Sequence, residues 1–440
     1  MRGGLRWALR RISTLDLRSL ALMRIAYGLV LLSDLFIRAR SFVFHYTDQG
    51  ALPLETLFRH ASTPGDFSLY AINGSMPFAA LLFTLQTLAA LAVLVGYRTQ
   101  AATAVCWLMW SSLQDRNFTV LNGGDVWLRL ILLWAIFLPW GQRWSLDAGK
   151  SPAGELSTEV ASTATFAYIF QEFLVYFLSG LHKTGASWWQ NGNAVYYSLQ
   201  LDEWASRWAT ELLYVPQLIK PATLAVLGLE LTLPLCLLTP WWIGPFRIAV
   251  VAAAVLFHGS LMVLMKLGVF PAVGIASSLG LLPAAFWRLA PGRKLEGMLD
   301  RIATRAARWS ADPPRQIVFP RPAHWALVCL MSVGLLWNIG NLKIGLTLPY
   351  SVQSLGRFLT LDQNWELFAP DPPTTTGWMV VEGFLDDGST VNLLQGHGPA
   401  TRRRPTTPSE IYRSQREKRY FVVLGNPQYK GLLSSYCHYL

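Results

Sequence analysis

The chain has 440 residues, of which 52% are hydrophobic, 13% aromatic and only 14% charged, with a mean hydropathy of +0.32. Soluble domains of this size carry about a quarter charged residues, so much of this surface must face something other than water and a soluble globular fold is excluded. The net charge of +11 does not signal nucleic-acid binding, because the basic residues sit in connections between apolar runs and not beside an aromatic reading surface.

In chain order, a basic start (Arg2, Arg6, Arg10, Arg11, Arg18) precedes an apolar run at 20–37. No small-residue cleavage site follows it, so it reads as a retained first span. A bilayer core takes about 20 apolar residues per helix. Further runs lie near 77–96, 101–116, 126–140, 164–183, 219–241, 247–265, 268–287 and 323–345. The fold class read from this is an all-α polytopic membrane bundle of about nine transmembrane helices over 1–345. The third and fourth runs meet across the turn signal Asn122-Gly123-Gly124-Asp125, and Lys266-Leu267-Gly268 joins the seventh to the eighth. One set of connections holds the N-terminal arginines, Arg98, Arg143, Lys150, Arg247 and the segment 288–322, which carries Arg288, Arg293, Lys294, Arg301, Arg305, Arg308, Arg315 and Arg321. The other set is poorer in cations. The positive-inside rule then predicts a cell-membrane protein with a cytoplasmic N-terminus and, after nine spans, an outer C-terminus.

Two outer loops are long. Residues 38–76 contain Tyr46-Thr47-Asp48 through Leu52-Pro53, and residues 184–218 are crowded with Trp188, Trp189, Tyr196, Tyr197, Trp204, Trp208 and Tyr214. The second predicts an interfacial helix roofing the bundle. After 345 the chain becomes more polar. Gly377–Leu385 and Ser389–Leu394 flank Asp386-Asp387-Gly388, which predicts a strand, a turn and a strand within a small β-containing extramembrane domain over 346–440. Thr401–Pro408 reads as an exposed loop. The four cysteines show no CxxC or Cys/His spacing, so neither metal nor disulfide is indicated, and they read as small buried hydrophobes.

Ionisable residues inside spans are costly, which makes each a functional candidate. Glu172, Tyr176, Ser179 and Lys183 are spaced 4, 3 and 4 apart, so a helix puts them on one face, with His182 adjoining. Lipid could not satisfy such a stripe. Lys183 reads either as a desolvated amine serving as a base or as a helix-end residue snorkelling to water. His258 reads either as a hydrogen-bonded bundle residue or as a catalyst. Glu230 needs a partner, for which Lys183, His258 and Arg24 are available. Arg24 itself stands near a helix end from which it could snorkel. Asp125 and Arg129, at i and i+4, predict an ion pair. The sequence holds no Walker loop, GxGxxG, HExxH or GxSxG pattern.

Val175-Tyr176-Phe177-Leu178-Ser179-Gly180-Leu181-His182-Lys183, followed by Ser187-Trp188 and Gly192, resembles the centre of the vitamin K-dependent γ-carboxylase family. The whole chain is still more similar to that family's bacterial relatives, the HTTM-domain (horizontally transferred transmembrane domain) proteins. The likeness continues through Leu22-Met23-Arg24-Ile25, Tyr46-Thr47-Asp48, Asn122–Asp125, Phe257-His258 and Asn364-Trp365-Glu366-Leu367-Phe368-Ala369-Pro370. It implies chemistry on reduced vitamin K, a menaquinol-like quinol, deprotonated by a lysine base before a protein glutamate is carboxylated. By that likeness Lys183 falls on the lysine base, His182 on its lysine neighbour, Glu230 on an acidic residue and His258 on a histidine. Lys183 and His258 are then the catalytic candidates, and Glu172, Tyr176, Ser179, His182 and Glu230 the cofactor-binding set. The carboxylases also carry a functional histidine at the start of the fourth span, where this sequence has Gly123-Gly124-Asp125. Two readings therefore stand: a quinol-dependent, carboxylase-like enzyme with an extracytoplasmic protein or peptide substrate, or a non-catalytic membrane scaffold binding lipid, quinone or a partner protein. A transporter would call for paired broken helices or an internal duplication, and neither is evident.

Overall fold

The computed structural model of the chain describes residues 2–60, 66–149, 158–306, 320–343, 347–394, 398–405 and 411–439. Lys150, Arg308, Arg315 and the end of the Thr401–Pro408 loop lie outside the described residues.

Helix α1 (Arg2–Ser13) leads through strand β1 (Thr14–Asp16) into α2 (Leu17–Ala39). The bundle continues with α3 (Met76–Val95), α4 (Thr99–Arg116), α5 (Gly123–Ala135), strand β2 (Glu159–Ala161), α6 (Thr163–His182), α7 (Ile219–Leu237), α8 (Ile243–Leu264), α9 (Phe270–Leu279), α10 (Ala290–Ala306) and α11 (Arg321–Asn341). The tail adds α12 (Tyr350–Phe358), β3 (Glu382–Phe384), β4 (Thr390–Asn392), α13 (Gln415–Leu424) and α14 (Gly431–Tyr439).

Among the described residues six helices are long and apolar enough to cross a membrane: Leu17–Ala39, Met76–Val95, Thr163–His182, Pro216–Leu237, Ile243–Leu264 and Arg321–Asn341. The other three apolar runs differ for local reasons. The run at 101–116 forms α4, but its last turns are polar and buried, through Ser111, Ser112, Gln114 and Arg116. Helix α5 has 13 residues, about 20 Å at the helical rise, against a hydrocarbon core of about 30 Å. Trp127 to Ala135 are nearly all buried by protein, so α5 needs no lipid-length run. The run at 268–287 breaks at Gly280 to Pro283 into α9 and a short helix, Ala284–Arg288.

The core runs through α2, α4, α5, α6 and α9, where Tyr27, Trp110, Trp127 and Tyr168 are fully buried, as is Trp140 in the segment after α5. At one end β1 pairs antiparallel with β2, so the starts of α2 and α6 are held together. Arg24 lies at this end, fully buried and not snorkelling. Its guanidinium donates to the carbonyls of Val93 (2.7 Å), Leu94 (2.5 Å), Trp140 (3.1 Å) and Trp144. Val93 and Leu94 close α3, where carbonyls lack helical partners and the dipole favours a cation.

The opposite end is closed by a four-charge cluster. Asp34 meets Arg38 (2.7 Å) and Arg416 (2.5 Å), and Asp125 meets Arg38 (2.7 Å) and Arg416 (2.8 Å). All four side chains are buried. The i,i+4 pairing of Asp125 with Arg129 is therefore not the one made: Arg129 turns instead to Asp362 at 2.6 Å. Asp125 is held away from it by its place in the capping box with Asn122, where its carboxylate accepts from Asn122 N at 2.9 Å.

The tail contains the short antiparallel hairpin β3–β4, but also three helices that its polar composition did not announce. Helix α13 packs Tyr420, Phe421 and Leu424 with Phe44, Leu52 and Val120 of the bundle end. The aromatic loop after α6 forms three short helices, Ala186–Trp189, Ala194–Leu199 and Arg207–Leu213, in place of one interfacial helix. Gly192 at φ +66° breaks the first from the second. Of the four cysteines Cys106 is buried, while Cys329 and Cys437 are exposed, so the burial expected of all four holds only in part.

Candidate functional site

Helix α6 starts at a Ser162–Thr165 capping box and delivers its polar stripe to the far end of the bundle. There it packs closely against α7. A Cβ at Gly180 would lie 2.8 Å from Leu231 and 3.2 Å from Glu230, so glycine permits the approach that brings two charged side chains together. Lys183 Nζ lies 2.6 Å from Glu230 Oε2, and both side chains are buried. The same ammonium donates to Ser179 Oγ at 2.9 Å, Ser179 Oγ donates to Glu230 Oε1 at 3.1 Å, and the Trp188 ring centroid is 5.0 Å from Nζ. Of the two readings of Lys183, the buried one is realised: it is 2% exposed and does not snorkel.

One turn inward, Tyr176 Oη is 2.8 Å from His258 Nε2. The imidazole is fully buried between Trp127 and Phe270, with centroid separations of 5.5 and 5.6 Å. It packs over Gly274, where a Cβ would fall 2.3 Å from Nε2. His258 Nδ1 has no hydrogen-bond partner.

Lys183, Glu230, Ser179, Tyr176 and His258 all line one cavity of about 500 Å³. Its walls are otherwise mainly apolar and aromatic, from Trp127, Trp188, Trp204, Phe257, Phe270 and Phe368, with leucines of α8. Such a lining suits a largely apolar ligand oriented by few polar groups.

Two residues of the expected set stand apart. Glu172 is buried a turn deeper, off the cavity wall, where Oε1 accepts from Trp127 Nε1 at 3.1 Å. Its link to the cavity is the Trp127 indole, which does line the wall. His182 turns to the other side of α6, with Nδ1 3.9 Å from Glu366 Oε1. Glu366 is on the cavity wall and also meets Lys343 at 3.3 Å.

Sequence reading missed several wall residues. Gln415 and Arg419 come from α13, nearly 200 residues beyond Glu230, and no local pattern ties them to it. Trp127 and Phe270 lie in apolar runs where no pattern marks them out, and Trp204 stood only among the aromatics of the outer loop. Other wall residues lay in segments already marked by resemblance: Asn122 and Gly123, and Glu366 to Ala369. The latter loop docks on the turn after Lys183: Gly185 N donates to Pro370 O (3.0 Å), Ser187 N to Asp371 Oδ1 (2.9 Å) and Trp188 Nε1 to Phe368 O (3.0 Å).

Outside the spans, the tail's electrostatics are marked. Burial pushes the Lys418 ammonium down to about 7, against the opposing pull of Glu203. Its Nζ lies 5.5 Å from the Trp204 ring centroid.

A family model described as HTTM domain matches residues 13–285. That stretch holds the whole Lys183, Glu230, Ser179, Tyr176 and His258 constellation and stops before α10 and the tail. No curated protein and no solved structure matches the chain.

Proposed function

Since this chain belongs to the HTTM domain family, we propose that it is a carboxylase-related membrane protein whose cavity binds a reduced quinone, with Lys183 as general base. The observation that carries this reading is the meeting of Lys183, Glu230, Ser179, Tyr176 and His258 around one largely apolar cavity of about 500 Å³. The fit of a quinol rests on the aromatic walls and on His258 Nδ1, a buried polar atom with no partner. A quinol would supply an acidic hydroxyl and a redox-active ring. Tyr176 Oη holds His258 Nε2 and so fixes the imidazole at the cavity wall. Lys183 must be neutral to act as a base. Its 2.6 Å contact with Glu230 gives it a route, because a proton passed from Nζ to Oε2 leaves an uncharged pair suited to a low-dielectric wall. Ser179 holds both partners in register. A positioned base of this kind contributes roughly 10²–10⁴-fold.

We further propose nine membrane crossings or partial crossings, with α1 and α10 cytoplasmic and the tail extracytoplasmic in a bacterial inner membrane. The cations of α1 and α10 at one end of the bundle support that orientation. A protein or peptide substrate would then approach from the tail side.

The second reading is a non-catalytic scaffold that binds quinone or lipid. One observation favours it. A side chain at position 124 has no room, since a Cβ there would lie 2.6 Å from the Phe270 backbone, so the segment cannot carry at 124 the histidine the carboxylases use nearby.

Lipid extraction and native mass spectrometry of the purified protein test the proposal. A retained quinone that wild type turns over and Lys183→Ala binds without turnover supports the enzyme. Ordinary phospholipid alone, with no quinone held even when supplied, overturns the quinol site and leaves the scaffold.

A further inference from the structure

Two amphipathic helices lie at the bundle end away from the cavity. At 100° per residue, Leu5, Ala8, Leu9 and Ile12 share one face of α1. Ile12 is buried, and its carbonyl accepts from Arg247 at 2.5 Å, but Leu5 and Leu9 are exposed, at 64% and 44%. Arg6, Trp7, Arg10 and Arg11 occupy the other face and are exposed, with the Arg11 guanidinium 5.2 Å from the Trp7 ring centroid.

Helix α10 separates its charges across its axis. Glu296 and Asp300 lie on the flank turned to the bundle, where Glu296 meets Arg18 at 3.1 Å and Asp300 accepts from Trp144 Nε1 at 2.8 Å. Leu299 is buried with Trp144 and Trp287. On the far flank Lys294, Arg301 and Arg305 are exposed beside exposed Met298 and Ile302. The acids are thus spent inward, and what faces outward is cationic and apolar together.

We infer that α1 and α10 form a docking surface for anionic phospholipid headgroups in the leaflet at this end. Water alone gives no reason for Met298 and Ile302 to stand among three cations, and a neutral bilayer gives none for the cations. An anionic leaflet satisfies both, because apolar side chains enter the acyl boundary while lysine and arginine reach headgroup phosphates. Trp7 among arginines fits the headgroup layer. The matched family region, residues 13–285, takes in only the last residue of α1 and none of α10.

The full-length protein in nanodiscs of phosphatidylcholine and phosphatidylglycerol tests this by native mass spectrometry of retained lipid. Wild type should retain phosphatidylglycerol above the bulk ratio. Neutralising Arg6, Arg10 and Arg11 to Gln, or Lys294, Arg301 and Arg305 to Gln, should reduce that enrichment, by up to about five-fold per cation removed. Arg402→Gln with Arg403→Gln, at the other end, should not. Unchanged enrichment in both helix variants, or an equal loss in the tail control, overturns the proposal. If the variants do not fold, wild type and Trp7→Phe decide it. Brominated phosphatidylglycerol must quench a fluorescence component that Trp7→Phe lacks, and brominated phosphatidylcholine must quench it less; equal quenching by the two lipids is the contrary result.

Discussion

Lys183 Nζ stands 2.6 Å from Glu230 Oε2, near Gly180 of α6, where a Cβ would lie 2.8 Å from Leu231 of α7. The pair joins the two helices and forms the polar part of an otherwise apolar cavity wall. Breaking a buried pair by removing one partner costs about 3–5 kcal/mol, whereas replacing both with apolar residues is often neutral. Glu230→Leu alone should therefore lower the thermal midpoint strongly in detergent, and Glu230→Leu with Lys183→Met should recover most of the loss. A double variant no more stable than the single one would mean that the pair is not the unit that matters.

Arg416 joins Asp34 to Asp125 from a helix remote in sequence. Arg416→Ala would leave two buried carboxylates facing Arg38 alone. A loss of about 3–5 kcal/mol and faster proteolysis after Ser414 are expected. Arg416→Lys should restore only part of the stability, because Nη2 bridges Asp34 and Asp125 while Nη1 also donates to Asp125 Oδ2 and the Val120 carbonyl, and one ammonium does not replace both nitrogens. Limited proteolysis with mass mapping, alongside thermal melts, reads both effects.

Gly274 makes the floor under His258. Gly274→Ala would place a methyl 2.3 Å from Nε2, so the imidazole must leave Tyr176 or α9 must shift. Overpacking of this kind costs typically about 1–3 kcal/mol. The loss should shrink in a His258→Ala background, where the ring is gone, and a double-mutant cycle on thermal stability measures it. Additive losses would contradict the contact.

Lys418 ties tail stability to pH. It is buried beside Trp204, with Glu203 and Lys266 as charged neighbours. Its folded value near 7 lies below its ordinary 10.5, so between those values the unfolded chain binds the proton that the folded chain has released. Stability then rises with pH from about 7 to 10.5, and the full penalty is present below 7. Hydrogen exchange in Gln415–Leu424, corrected for the intrinsic rate, should slow across that window in wild type and lose the trend in Lys418→Met. A trend that persists in the variant points to another group.

The sequence by itself determined the membrane class, the apolar runs and the polar face of α6, because each follows from composition or from helical periodicity within one segment. Glu230 and His258 stood out as ionisable residues inside spans, and resemblance added the roles of both beside Lys183. Tertiary structure alone decided which partners met. Asp125 and Arg129 obey a local spacing rule, yet capping geometry and Arg416 draw Asp125 elsewhere. Arg24 stood where snorkelling was open to it, yet the ends of α3 and the chain at Trp140–Trp144 offered it four carbonyls. Helix α5 was too short for a lipid-facing span and became a core element instead. Gln415 and Arg419 reach the cavity wall from the helix whose Arg416 is held by Asp34 and Asp125 and whose Tyr420, Phe421 and Leu424 pack at the bundle end. Each of these outcomes turns on contacts between distant segments, and the pairing of a buried charge or the closeness of two helices is not encoded in either segment read alone.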